Sequence, residues 1–203
     1  MDGTLLDSSF AMLQSVNCVR DSLGLAPVSK DFLEFHINEP DQDLPMLFYG
    51  TPQYVPEHRE LFKEHYLSYA NLHVKIYEGA KELLEFLHVK NITLSIATNA
   101  SDFFAINMLK HQGLLPYFSY IVGANCVAKP KPNPDMIYHL CELSKIPLEQ
   151  TILIGDSVKD EFAAKNADIE FLFANWGYGK SKSAEHRFDS IKEIEVFISS
   201  YLT

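Results

Sequence analysis

This 203-residue sequence is poor in cysteine, poor in positive charge and free of long apolar runs. Its three cysteines, Cys18, Cys126 and Cys141, form no C-x-x-C pair, so neither a zinc site nor a disulfide framework is indicated. With 17 Lys and Arg against 27 Asp and Glu, the net charge of -10 argues against nucleic-acid binding. No run approaches the roughly 20 apolar residues that span a bilayer, and a signal-peptide pattern is missing. We therefore expect a cytoplasmic protein that binds neither nucleic acid nor membranes.

The residues that are present indicate an ordinary globular chain. Hydrophobic residues make up 47% and charged residues 22% of the sequence, which is typical of a folded domain. The length suits one large domain or a core that carries a modest insertion. The negative net charge leaves a small anionic ligand possible, because a few local cations and a metal ion are enough to bind one.

Residues 8–75 carry apolar side chains at helical spacing and show no strand pattern. Ser8 and Ser9 can cap a first helix, and a second helix fits between Pro56 and Asn71. Several prolines break the stretch between the two helices. We predict a small helical subdomain over residues 8–75.

From Ile76 onward the pattern changes to strands that alternate with helices. Predicted strands cover 92–97, 120–123, 151–154 and 169–174, and predicted helices cover 81–89, 102–112, 134–144, 159–166 and 190–202. Nearly continuous apolar strands of this kind form a parallel sheet covered on both faces. The fold class is therefore α/β, with a Rossmann-like core made of residues 1–7 and 76–203. Ligands of such sheets bind at the carboxyl ends of the strands.

Four short segments lie where predicted strands end. They are Asp2–Thr4, Thr98–Asn99, Lys131–Asp135 and Gly155–Asp160. Together they bring a hydroxyl group, a lysine and paired carboxylates to one edge of the sheet. Carboxylates hold Mg²⁺, while lysine and hydroxyl donors neutralise and orient phosphoryl oxygens. The combination indicates phosphoryl-transfer chemistry.

In their order along the chain, these segments resemble the four motifs of the haloacid dehalogenase-like (HAD) hydrolases. Each segment alone is a weak signal, but the ordered set is specific and spans essentially the whole chain. The helical region resembles that family's inserted α-helical cap, and Trp176–Gly179 is similar to a segment of phosphoglycolate-phosphatase-like members. The resemblance implies a Mg²⁺-dependent phosphomonoesterase that acts on a small phosphorylated metabolite, as a monomer or homodimer.

The resemblance also implies roles for residues of the first two motifs. Asp2 matches the aspartate that protonates the leaving group and then activates water, and its backbone carbonyl faces the metal. Thr98 matches the hydroxyl that binds the transferring phosphoryl group. Asn99 is expected to help bind the phosphate or to shape its loop.

The third and fourth motifs supply a lysine and the metal carboxylates. Lys129 and Lys131 each precede a proline, and we favour Lys131 because only it begins a K-P-x-P-D pattern followed at once by a helix. Asp156 matches the metal-binding aspartate. Asp160 is expected to be an outer metal ligand or an orienting carboxylate, although an acidic residue at that place is also favoured by the helix dipole.

The first seven residues match the tail of the family signature D-x-D-G-T-L-x-D, with Met1 at its x position. The aspartate that attacks phosphorus would therefore lie one residue before Met1. Asp7 is five residues past Asp2 and is better interpreted as a turn or capping residue. We expect the natural protein to begin upstream and to carry that aspartate. The alternative is a short form whose sheet has rearranged and whose catalysis is lost.

Other activities remain open on these motifs. A phosphosugar mutase or a pyrophosphatase would share them. A dehalogenase is disfavoured, because the fourth motif carries the metal-binding carboxylate pair. A non-catalytic module that binds a phosphorylated ligand or a protein is the alternative from a different class.

Overall fold

The computed structural model describes residues 1–181 and 183–202. The helices are α1 (Ser9–Ser22), α2 (Lys30–Asn38), α3 (Leu44–Tyr49), α4 (Pro56–His73), α5 (Ala80–Val89), α6 (Asp102–His111), α7 (Asp135–Ser144), α8 (Val158–Ala167) and α9 (Ile191–Tyr201). The strands are β1 (Leu6–Asp7), β2 (Lys75–Ile76), β3 (Ser95–Thr98), β4 (Tyr120–Gly123), β5 (Ile152–Gly155), β6 (Glu170–Ala174) and β7 (His186–Phe188). In the described part of the chain, no helix combines the length and apolarity that crossing a membrane requires.

Helices α1 to α4 follow one another between β1 and β2, and α1 lies along α4. The proline-broken stretch between them forms α2 and α3, each with a side chain that caps its start. The Ser29 hydroxyl accepts from the Phe32 amide, and the Asp43 carboxylate accepts from the Met46 amide. This helical region has its own apolar cluster, which contains Val16, Val19, Leu33, Phe48 and Tyr49.

A two-residue antiparallel pair joins the two ends of the helical region. Leu6 pairs with Ile76 and Asp7 with Lys75. The sequence analysis found no strand pattern up to Lys75, because two residues are too few to show an alternation. Through this strand pair, the chain leaves the core at Asp7 and returns to it at Lys75, and both residues lie close to Asp2 in the fold or in the sequence.

The parallel strands form two ladders. β3 pairs with β4, while β5, β6 and β7 pair in that order. Within the described residues, β3 and β5 each have one strand neighbour, so the single sheet expected from the sequence appears as two parts. β7 was not predicted, because its three residues, His-Arg-Phe, give too short an apolar signal.

Both faces of the longer ladder are covered, as the α/β class predicts. Ile154 of β5 and Leu172 of β6, which are register partners, pack with α5 and α9. The preceding β5 residue, Leu153, points to the opposite face and packs with α7 and α8. The α/β fold class is therefore confirmed, and β3 and β5 end at Thr98 and Gly155, where the candidate site begins.

Candidate functional site

Lys131 connects the end of β3 with the start of α8. Its side chain is buried, and its Nζ lies 2.7 Å from the Ala97 carbonyl oxygen and 2.5 Å from Asp160 Oδ1. The Asn99 side chain holds the backbone of the same lysine, donating to its carbonyl at 2.8 Å and accepting from its amide at 3.1 Å. Lys129, the alternative lysine, is exposed, and its amide donates to Asp135. Of the two lysines, only Lys131 reaches the strand ends.

Asp160 is fixed by the start of α8. Its Oδ2 accepts from the Ser157 amide at 3.1 Å and from the Ser157 hydroxyl at 2.6 Å, while the Ser157 hydroxyl accepts from the Asp160 amide in a capping box. With Oδ1 on Lys131, both carboxylate oxygens are engaged. Asp160 therefore orients the lysine, and its predicted role as a metal ligand stays a prediction.

Asp156 is the other buried carboxylate of this end of the sheet. Its Oδ1 accepts from the Thr4 hydroxyl at 3.0 Å and its Oδ2 from the Tyr178 amide at 2.9 Å. Gly3 allows a close approach: a Cβ atom there would lie 2.1 Å from Asp156 Oδ2. The segments Asp2–Thr4 and Gly155–Asp160 are therefore in contact through the Asp156 side chain.

The two carboxylates have opposite electrostatic environments. Burial, and after it the negative charge of Asp160, raise the pKa of Asp156 to about 6. Burial also acts to raise the pKa of Asp160, but the charge of Lys131 and the hydrogen bonds from Lys131 and Ser157 hold that pKa below its ordinary value. Asp160 is thus the carboxylate that is paired with Lys131, and Asp156 is the buried carboxylate that has no paired lysine among the described residues.

Thr98 and Asp2 border the same cavity as Lys131 and Asp156. Thr98 is buried, and its Oγ1 accepts from the Ala100 amide at 3.2 Å, which leaves the hydroxyl hydrogen for another acceptor. The Ser8 hydroxyl donates a short hydrogen bond to Asp2 Oδ1. That bond explains why Ser8 occupies the N-cap position of α1 without its side chain capping the helix. The phosphate-binding role of Asn99 stays a prediction, because both of its amide atoms contact Lys131.

The segment Trp176–Gly179 holds several of these parts together. The Trp176 indole donates to the Thr4 carbonyl at 3.0 Å. The Tyr178 hydroxyl accepts from the Ser8 amide at 2.6 Å and the Ser9 amide at 3.0 Å. It lies 3.1 Å from Asp7 Oδ1, to which it donates. The start of α1 is therefore capped from another part of the chain.

Gly177 and Gly179 are required there by space. A Cβ on Gly177 would lie 2.2 Å from the Asp156 Cβ, and one on Gly179 would lie 2.2 Å from the Asp156 carbonyl oxygen. The sequence analysis gave this segment no site role. The sequence does place two glycines shortly after a predicted strand. Such glycines indicate that another group approaches the backbone closely, but they do not show which group it is.

The residues around Asp156 suit a hard divalent cation. Mg²⁺ typically takes one or two carboxylates and completes its octahedral shell with water and substrate oxygens. A buried carboxylate with a raised pKa, beside a second carboxylate, fits such an ion. In the described part of the chain, no three His, Cys, Asp or Glu side chains gather as a cluster able to hold a metal. Asp156 is the side chain best placed to bind the cation, and metal binding by Asp2 stays a prediction.

Comparison with known proteins identifies similar sequences. Residues 1–174 match the sequence model of the haloacid dehalogenase-like hydrolases. The chain is 26% identical over 211 residues to a phosphoglycolate phosphatase from Chromobacterium violaceum, with 96% of this chain and 91% of that protein covered. It is 28% identical over 195 residues to a phosphoglycolate phosphatase from Agrobacterium fabrum, with 88% and 79% covered.

Solved structures show the same fold. A putative phosphoglycolate phosphatase from Lactobacillus plantarum superposes with a TM-score of 0.85 at 21% identity, covering 100% of this chain and 96% of that chain. A predicted phosphoglycolate phosphatase from Haemophilus somnus gives a TM-score of 0.82 at 24% identity, covering 98% and 95%. At these identities the likeness shows the fold alone.

The raised pKa of Asp156 predicts that Asp156→Asn stabilises the protein in metal-free buffer. A carboxylate whose folded pKa is raised costs stability as pH rises from about 4 to about 6, and the full cost persists above that range. We expect a gain of about 1–3 kcal/mol in the free energy of unfolding at pH 7.5, and none below pH 4. An asparagine can still accept from the Tyr178 amide and donate to Thr4. Urea unfolding in EDTA measures the free energy of unfolding of this variant, and a substitution of an exposed residue, Asp21→Asn, is the control. If Asp156→Asn is no more stable than the unsubstituted protein at pH 7.5, the pKa of Asp156 is not raised.

Proposed function

This chain belongs to the haloacid dehalogenase-like hydrolase family and is a phosphatase, and we propose that it hydrolyses a small phosphorylated metabolite with the help of Mg²⁺ through an aspartyl-phosphate. One observation carries the proposal. Lys131, Thr98 and Asp156, from three separate segments, line one cavity at the carboxyl ends of β3 and β5. A cation, a hydroxyl donor and a carboxylate are the groups that phosphoryl transfer needs.

Each of the site residues then has a defined role in the reaction. Lys131 presents its ammonium group to the phosphoryl oxygens, fixed by Ala97 and Asp160. The Thr98 hydroxyl donates to the same phosphoryl group. Asp2 protonates the leaving oxygen and afterwards takes a proton from the attacking water. When bound at Asp156, Mg²⁺ would supply positive charge to the transferring phosphoryl group.

In the family signature, the nucleophilic aspartate directly precedes the position that Met1 matches. Met1 is almost fully buried and borders the same cavity as Lys131 and Asp156. An aspartate joined to the Met1 nitrogen would be next to that cavity. β3 and β5 each pair on one side only within the described residues, which is compatible with a further strand between them.

Two other functions deserve a test. A phosphosugar mutase would use the same four segments and would return the phosphoryl group to a sugar. A non-catalytic module that binds a phosphorylated ligand is the alternative in which no aspartate precedes Met1. Fold alone does not choose among them. The small-metabolite substrate, the cytoplasmic location and the monomeric or homodimeric state are parts of the proposal that follow from the sequence.

The role of the metal ion can be tested by removing it. A chain extended at its N-terminus to carry the aspartate should hydrolyse p-nitrophenyl phosphate, lose that activity in EDTA and regain it with Mg²⁺. Asp156→Ala should remain folded by circular dichroism and stay inactive at any Mg²⁺ concentration. Full turnover in EDTA would refute the role of the metal.

Substitution of each lysine separates their roles. Lys131→Ala should lower kcat of the extended chain by roughly 10²-fold or more, because a charge partner of the transition state is lost. Its melting temperature should also fall, since Asp160 is left buried without its partner. Lys129→Ala, an exposed control two residues away, should change neither value. The opposite ranking would show that the lysine motif was assigned to the wrong residue.

A further prediction isolates the nucleophile. The chain as printed should hydrolyse p-nitrophenyl phosphate no faster than its Asp2→Asn variant, because no aspartyl-phosphate can form. An added apolar strand ending in Asp, so that the start reads D-M-D-G-T, should restore turnover. The same extension ending in Asn should raise the melting temperature equally without restoring turnover. Substantial Mg²⁺-dependent turnover by the printed chain would sink the placement of the nucleophile.

A further inference from the structure

Tyr178 connects the segment after β6 with the residues that lead from the core into α1. Its hydroxyl oxygen accepts hydrogen bonds from the amides of Ser8 and Ser9, at 2.6 Å and 3.0 Å. The same hydroxyl donates to Asp7 Oδ1 at 3.1 Å and lies 3.3 Å from the Leu6 carbonyl oxygen. One phenol group therefore contacts four consecutive residues, about 170 positions earlier in the chain.

The position of Ser8 depends on this contact more than that of its neighbour. Ser8 lies between the two-residue strand β1 and helix α1, so neither element fixes its backbone. Among the described residues, the Ser8 amide has Tyr178 as its only acceptor, whereas the Ser9 amide also reaches Asp7 Oδ1 at 3.2 Å. Loss of the Tyr178 hydroxyl would leave the Ser8 amide unpaired, which is costly for a buried residue.

The Ser8 side chain in turn holds one oxygen of Asp2. Ser8 is fully buried, and its hydroxyl donates a short hydrogen bond to Asp2 Oδ1. In the described part of the chain, the other oxygen, Asp2 Oδ2, has no hydrogen-bond partner, and Asp2 borders the cavity together with Lys131 and Thr98. A carboxyl group held by one oxygen can present its second oxygen to a ligand in that cavity.

Tyr178 is itself fixed by the other buried carboxylate of the site. Its amide donates to Asp156 Oδ2 at 2.9 Å, and the glycines on either side of it lie against the same aspartate. Burial, and after it the negative charge of Asp2, raise the pKa of the Tyr178 phenol above its ordinary value. The hydroxyl therefore keeps its proton at neutral pH. Through its backbone and its side chain, Tyr178 links Asp156 with the residues that hold Asp2.

The orientation of Asp2 matters because a general acid works only at hydrogen-bond distance. The acid must lie within about 2.6–3.2 Å of the oxygen that it protonates. A misplacement of about 1 Å can cost a factor of about 10² in rate, even when its cause lies away from the reacting atoms. A residue that fixes Ser8 therefore affects the proton transfer from Asp2 without touching the substrate.

We propose that Tyr178 is a positioning residue for the general-acid step: its hydroxyl fixes Ser8, and Ser8 orients Asp2 toward the leaving oxygen. This inference rests on the proposed phosphatase function, in which Asp2 is the acid. As the phosphoryl group passes to the aspartate nucleophile, the bond from phosphorus to the leaving oxygen breaks and that oxygen takes the proton of Asp2. Tyr178 and Ser8 keep their own protons throughout.

The test compares two similar esters on the extended chain with Mg²⁺. The leaving group of 4-nitrophenyl phosphate departs readily as an anion, whereas that of phenyl phosphate depends more on a proton from the acid. Tyr178→Phe removes only the hydroxyl and should lower kcat/KM about tenfold for phenyl phosphate and about twofold or less for 4-nitrophenyl phosphate. Ser8→Ala should show the same bias. Tyr138→Phe, which removes an exposed hydroxyl bonded to the Asn166 carbonyl, should change neither value.

The ratio of the two kcat/KM values comes from one enzyme preparation, so a loss of folded protein cancels and a merely structural role leaves the ratio unchanged. Equal losses for both esters in Tyr178→Phe would overturn the inference and leave the phosphatase proposal standing. If the unsubstituted extended chain hydrolyses neither ester, the phosphatase proposal fails, and the acid step fails with it. The double variant should be no more biased than Ser8→Ala, because both residues act through one contact; biases that multiply would show that Tyr178 does not act through Ser8.

Discussion

The arrangement of the site depends on one buried ion pair, Lys131 with Asp160. Removing two charges from water is costly, and the cost is recovered only when further hydrogen bonds complete both partners. Here the lysine also binds the Ala97 carbonyl, and the carboxylate binds Ser157 twice. The pair therefore ties the end of β3 to the start of α8, across two ladders that share no strand pairing in the described residues. Loss of either partner would leave the other charge buried and unpaired.

The same pair determines the chemistry of Asp156. Asp160 is paired with Lys131, so its carboxylate orients the lysine. Asp156 lies beside it without a lysine of its own, and its pKa moves in the opposite direction. Two carboxylates whose environments separate their pKa values are a common way for one site to hold two roles. A divalent cation bound at Asp156 would offset the cost of burying this carboxylate beside Asp160.

How much of the fold and the site could be predicted from the sequence depends on how far apart in the sequence the contacting residues lie. Thr98, Lys131 and Asp156 each follow a recognisable strand or precede a recognisable helix, so topology alone brings them to one edge. The sequence analysis did not predict β1, β2 and β7, because strands of two or three residues are too short to show an alternation of apolar and polar side chains. Ser8 was predicted as a helix cap from its type, but its hydroxyl bonds to Asp2, and Tyr178 takes over the capping from 170 residues away. Partners at that separation leave no local pattern.

The cavity shows why the floor of a site is easier to predict than its wall. The floor consists of charged and hydroxyl groups whose types alone indicate the reaction. The wall consists of aromatic residues such as Tyr49 and Phe62, which at helical spacing indicate only a packed helix. Both side chains do pack in the apolar cores. Tyr49 and Phe62 also border the cavity. A cavity is a property of the folded arrangement of α3, α4 and α6, so no single segment of the sequence reveals it.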